Sequence, residues 1–162
     1  MDSFKRARFL EMNPHGRFPS ITGVPEGEMR KLRIRLAHAV GFPPEVDNLA
    51  LTHHIDSLMR PVEGINAEDA DFDLGAVLRQ IGIHPLVNVY VNWYRYDKID
   101  EIAFADLAQF LPWVWYPSAD DIEVFDETCS WIVSIAHRGD IGYLILDSSR
   151  LGALDSQLGG RD

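Results

Sequence analysis

The sequence predicts an α+β domain, with N-terminal helices packed on a C-terminal, mainly antiparallel sheet of about four strands. Three observations lead there. Up to Gly82 the apolar residues recur at three- and four-residue steps, and from Leu86 they alternate singly. The third is size: 162 residues with 46% apolar side chains suffice for one core and are short for two. A single domain over 1–147 is expected, followed by a flexible tail over 148–162, where Gly152, Gly159 and Gly160 interrupt any period.

Phe4, Ala7, Arg8 and Glu11 space a short first helix, which Asn13-Pro14-His15-Gly16 breaks. Pro25, Glu26 and Glu28 suit the first turn of a second helix, whose stripe is Met29, Leu32, Leu36, Ala39 and Val40. Arg30, Lys31, Arg33, Arg35 and His38 lie off that stripe. Asp47 is placed to cap a third helix, with Val46 and Leu51 as its staple, Leu51, Ile55 and Leu58 as its stripe, and Pro61 as its end. Asp73 repeats the cap with Phe72 and Val77, and Leu74, Val77, Leu78 and Ile81 carry a fourth helix to Gly82.

Val87, Val89, Val91 and Trp93 then alternate with Asn88, Tyr90, Asn92 and Tyr94, the pattern of a strand with one apolar and one polar-aromatic face. A short helix over Ile102–Leu111, capped by Asp100 and ended by Pro112, is expected next. Strands follow at Ile122–Asp126, Ser130–His137 and Ile141–Asp147, the last two joined by Arg138-Gly139-Asp140 as a tight turn.

Charge narrows the function. Fifteen basic against 25 acidic side chains give −10, and the balance is uneven: residues 1–42 hold 8 Lys/Arg and 4 Asp/Glu, residues 43–162 hold 7 and 21. A strongly acidic body argues against direct nucleic-acid binding and for a basic partner. No apolar run is long enough to span a membrane, so no membrane partner is expected. The start lacks a signal-peptide core, and the lone Cys129 permits no internal disulfide, which makes the cytoplasm the expected location.

Catalytic signatures are missing. There is no glycine-rich phosphate loop and no Gly-x-Ser-x-Gly elbow. Cys129 stands beside Asp126 and Glu127, whose charges raise a thiol's pKa. His53-His54-Ile55-Asp56 offers metal-ligand chemistry, but adjacent histidines on a helix diverge by about 100°. A metal-dependent hydrolase or transferase using His53, His54 and Asp56 is therefore the alternative reading; the leading one is a non-enzymatic protein with no cofactor and no metal.

The unexplained residues are aromatic and acidic. Tyr94, Tyr96, Trp113, Trp115 and Tyr116 interleave with Asp120, Asp121, Glu123, Asp126 and Glu127. Tyr and Trp anchor protein interfaces, and surrounding carboxylates steer a basic partner, so these ten residues form the expected partner-binding surface. The run Trp115-Tyr116-Pro117-Ser118-Ala119-Asp120-Asp121-Ile122-Glu123-Val124-Phe125-Asp126, leading to Trp131 and the His137 hairpin, resembles the small acidic immunity proteins that bacteria encode beside polymorphic or contact-dependent toxins. That resemblance implies an inhibitor that occludes the active site of a cognate toxin, which can be a basic, nucleic-acid-targeting domain. An adaptor or regulatory subunit would use the same surface on a different partner.

Overall fold

The computed structural model describes residues 1–45 and 47–146. The tail over 148–162 and the Val46 half of the proposed staple lie outside the described residues. In chain order the elements are α1 (Ser3–Met12), β1 (Ile21–Gly23), α2 (Glu26–Ala39), α3 (Asn48–Leu58), β2 (Arg60–Asn66), α4 (Leu74–Gln80), β3 (Asn88–Asn92), β4 (Ile99–Ala103), α5 (Phe104–Val114), β5 (Ile122–Phe125), β6 (Trp131–Ile135) and β7 (Asp140–Ile145).

Over the described residues the fold is α+β, but the sheet has seven strands rather than four, in the order β1-β4-β3-β5-β6-β7-β2, with every pairing antiparallel. Three strands escape the sequence pattern for physical reasons. β1 is three residues long, and β2 has a proline, Pro61, as its second residue, which an edge strand tolerates because one side of its backbone has no partner. β4 occupies the place expected for a helix cap. Asp100 sits in mid-strand opposite Val91 and accepts a hydrogen bond from Trp93 Nε1 at 2.7 Å. α5 starts after Ala103 with no side-chain cap, and Pro112 lies inside it instead of ending it.

Helices cover both faces of the sheet. On one, Phe9, Leu74, Leu107 and Leu111 from α1, α4 and α5 pack against Val89, Val91, Val124, Trp131 and Val133. On the other, Leu32 and Leu36 of α2 and Leu51 and Ile55 of α3 pack against Ile99, Phe125 and Ile132. The expected stripe of α3 stops at Ile55, since Leu58 is 40% exposed. Two of the three expected acidic caps form: Asp47 accepts from the Ala50 amide and Asp73 from the Ala76 amide, each at 3.0 Å. The β6–β7 turn also forms, with Gly139 at φ +78°, where an added Cβ would lie 1.9 Å from Asn66 Oδ1.

Candidate functional site

Residues paired across a sheet share a face. Asn92 of β3 is opposite Glu123 of β5, Glu123 is opposite Ser134 of β6, and Ser134 is opposite Gly142 of β7. A polar row therefore crosses the middle of the sheet on the side covered by α2 and α3. Asn92 Nδ2 donates to Glu123 Oε2 at 2.8 Å, while Asn92 Oδ1 accepts from the Tyr96 amide at 2.9 Å. Gly142 ends the row because a Cβ there would come within 2.7 Å of Ser134 Oγ and 3.3 Å of Met59 Cβ. Above the row, Thr52 and Asp56 of α3, Tyr94 of the β3–β4 loop and Asp121 at the approach to β5 enclose a cavity of about 270 Å³, with Glu123 and Ser134 among its lining.

The β3–β4 loop is held in an unfavourable shape. Tyr94, Arg95 and Tyr96 have φ of 70°, 61° and 55°, a left-handed conformation that costs an L-residue about 1–2 kcal/mol. Three contacts near Tyr96 hold it there. Its ring is fully buried, its amide is bonded to Asn92, and its carbonyl accepts from Arg33 Nη1 at 2.8 Å. Arg33 in turn pairs with Glu26, so part of the basic surface of α2 serves the protein's own fold.

Glu123 is the unusual group. It is 5% exposed, and burial, reinforced by the Asp56 charge, pushes its carboxyl up to about 7 despite the opposing pull of Tyr96 and Asn92. Its Oε1 and the neighbouring Tyr96 hydroxyl lie close enough to influence each other's protonation, yet neither makes a well-directed hydrogen bond, and burial with the adjacent Glu123 shifts the hydroxyl upward. Asp56 is also raised, mainly by desolvation, with His53 opposing and Asp121 adding to the shift. Asp121 accepts from the His137 amide and faces the His137 ring at 2.9 Å. Among the described residues, the Lys and Arg ion pairs go to other carboxylates, none of them Asp56, Asp121 or Glu123. Such an arrangement can hold a cation or exchange a proton near neutrality.

The ten residues expected to form one partner surface separate into several places. Tyr94, Asp121 and Glu123 line the cavity, and Tyr96 is buried behind it. Trp113, Trp115, Tyr116 and Asp120 lie on the opposite face, where they seat α1. Trp113 meets Phe9 edge-on at 5.2 Å, Tyr116 packs near Phe4 and Lys5, and Lys5 Nζ pairs with Asp120. Trp115 is 3% exposed, with its Nε1 donating to the Asp120 carbonyl. Asp126 is 1% exposed and accepts from the Leu86 amide, Trp131 Nε1 and both the amide and hydroxyl of Thr128. Trp115 and Asp126 are therefore structural residues in this fold, and Glu127 is exposed beside Tyr90 and Glu101, away from the cavity.

Sequence reasoning missed Asn92, Ser134 and Thr52, and read Asp56 only as a metal ligand. A signal existed in two strands: Glu123 and Ser134 are each a polar residue inside an otherwise apolar strand, whereas Asn92 belongs to the polar-aromatic face of β3. The histidines of α3 do not converge. His54 stacks on Phe42 at 4.5 Å and faces the Val40 carbonyl, while His53 is exposed. Among the described residues no three His, Cys, Asp or Glu side chains are grouped to hold a metal ion. Cys129 is buried, and desolvation pushes its thiol up to about 12.

Among the described residues no helix is long and apolar enough to cross a membrane. No protein-family model matches the chain, and no curated protein and no solved structure is significantly similar to it.

Proposed function

We propose that this protein is a non-enzymatic immunity protein, which binds a basic toxin domain and blocks its active cleft. The observation that carries the reading is the acidic cavity itself: Asp56, Asp121 and Glu123 surround one opening, and among the described residues no lysine or arginine pairs with them. Carboxylates are normally kept apart or neutralised, so three facing one space favour an incoming positive charge. The net charge of −10 extends that attraction beyond the opening and accelerates encounter with a basic surface. Among the described residues no histidine or cysteine lines the cavity, whose polar groups are carboxyl, hydroxyl and phenol groups.

Co-expression with the product of the adjacent toxin gene tests this. Protection of the cells, and a stable complex on size exclusion, are the expected results. Asp56→Lys with Asp121→Lys should abolish both, because these are exposed rim positions whose reversal leaves the core intact. Asp120 is unsuitable for such a test, since its reversal would oppose Lys5 and dislodge α1. Full protection by the double variant would reject the cavity as the contact surface.

A further inference from the structure

The inference rests on the reading that this face meets a basic protein. We propose that the cavity between α3 and the polar row of the sheet is a socket for one arginine side chain of that partner. Three features of the cavity favour this occupant. The first is an unpaired acceptor: Glu123 lines the cavity, is 95% removed from solvent, and leaves Oε1 without a hydrogen bond. A buried acceptor left unmade costs about 1–3 kcal/mol, which an arriving donor recovers. The second is the number of acceptors. Glu123, Asp56, Asp121 and Ser134 line one space, and five donors in a planar fork meet such a set of acceptor residues better than the three of an ammonium. The third is fit. About 270 Å³ admits a guanidinium and part of its stem, and Tyr94 at the rim offers an aromatic surface on which that cation stacks.

Glu123 fixes the orientation in this arrangement. Asn92 holds Oε2, so Oε1 remains the free acceptor, and the guanidinium fork bridges from it toward the rim carboxylates. The left-handed loop serves the same end by keeping Tyr94 at the opening while Tyr96 is anchored beneath.

Ethylguanidinium and n-butylammonium, titrated at millimolar concentration into the full chain and followed by the Asn92 side-chain and Tyr96 backbone NMR signals, test the socket. Saturable shifts with ethylguanidinium, at least about fivefold tighter than with the ammonium, are expected. Glu123→Gln should weaken binding about tenfold or more, and Asp121→Asn, an exposed change that spares the core, by about threefold. Equal affinity for the two cations, shifts elsewhere in the molecule, or unchanged affinity in both variants overturns the arginine socket. Ethylguanidinium binding without any toxin complex supports the socket and rejects the immunity reading. A toxin complex whose affinity survives Glu123→Gln and Asp121→Asn does the reverse.

Discussion

The two faces of the sheet treat buried charge in opposite ways. Under α1, α4 and α5, Asp100, Asp120 and Asp126 are each met by donors from several parts of the chain, and Lys5, 1% exposed, is held between Asp120 and the Val114 carbonyl. The Tyr116 hydroxyl is the exception there. Under α2 and α3, Glu123 has one oxygen bonded and one bare, with the Tyr96 hydroxyl unpaired as well. A buried carboxylate that is fully bonded supports a fold, and one that is half bonded has spare capacity for something else. The buried carboxylates thus divide into those that hold the fold and one, Glu123, with acceptor capacity left over.

The sharpest way to break this contrast is at Asp126. Asp126→Ala removes the acceptor for two amides, an indole and a hydroxyl, and each buried donor left alone costs about 1–3 kcal/mol, so a loss of about 5 kcal/mol is expected in urea unfolding. A loss below about 1 kcal/mol would show that water replaces the carboxylate and that this face is less closed than described. Lys5→Met should cost about 3 kcal/mol, because Asp120 keeps its Tyr116 amide and some solvent contact but loses its cation. Cavity binding of ethylguanidinium should be unchanged in that variant, since α1 packs on the far face.

Glu123→Gln should act with the opposite sign and depend on pH. The folded carboxyl titrates near 7 and the free one near 4.5, so the protonated acid is favoured by folding. Its contribution is complete below the unfolded value and disappears as pH rises through the folded one. The parent protein should therefore lose up to about 3 kcal/mol between pH 4.5 and 7, and Glu123→Gln, which cannot ionise, should be more stable than the parent by a similar amount at about pH 8. Stability curves that run parallel for the two proteins across this window would place a counter-charge on Glu123 and close the socket.

The same contrast explains what the sequence could disclose. Asp47 and Asp73 were readable as caps because a cap is a local device, satisfied within three residues. β3 was readable because its Val89 and Val91 face one core while Asn88 and Asn92 do not. β4 was not, because helices lie on both sides of the sheet: Ile99, Asp100 and Ile102 are all buried, and alternation disappears where both faces are covered. The placement of Trp113, Trp115 and Tyr116 was hidden for a different reason. What covers them is α1, and the Lys5–Asp120 pair joins residues 115 apart in the chain, a contact no local pattern encodes. Glu123 was visible as a carboxylate, and the in-register row that buries it became visible only with the strand pairing.

The smallest expected effect tests whether the loop's shape belongs to the cavity. Tyr96 is fixed by burial, by Asn92 and by Arg33, and Tyr94 stands at the rim, but Arg95 between them is exposed and touches the loop through its position 5.2 Å from the Tyr94 ring. Its φ of 61° is therefore imposed by its neighbours. Arg95→Gly removes the Cβ conflict of the left-handed conformation while adding freedom to the unfolded chain, which leaves a net gain of about 1 kcal/mol or less in urea unfolding. If its neighbours alone hold the loop, the gain comes with ethylguanidinium affinity unchanged, since Tyr94 and Tyr96 keep their anchors. A loss of stability, together with weaker binding, would instead assign the loop's shape to the Arg95–Tyr94 stack, making that cation the element that holds the rim open.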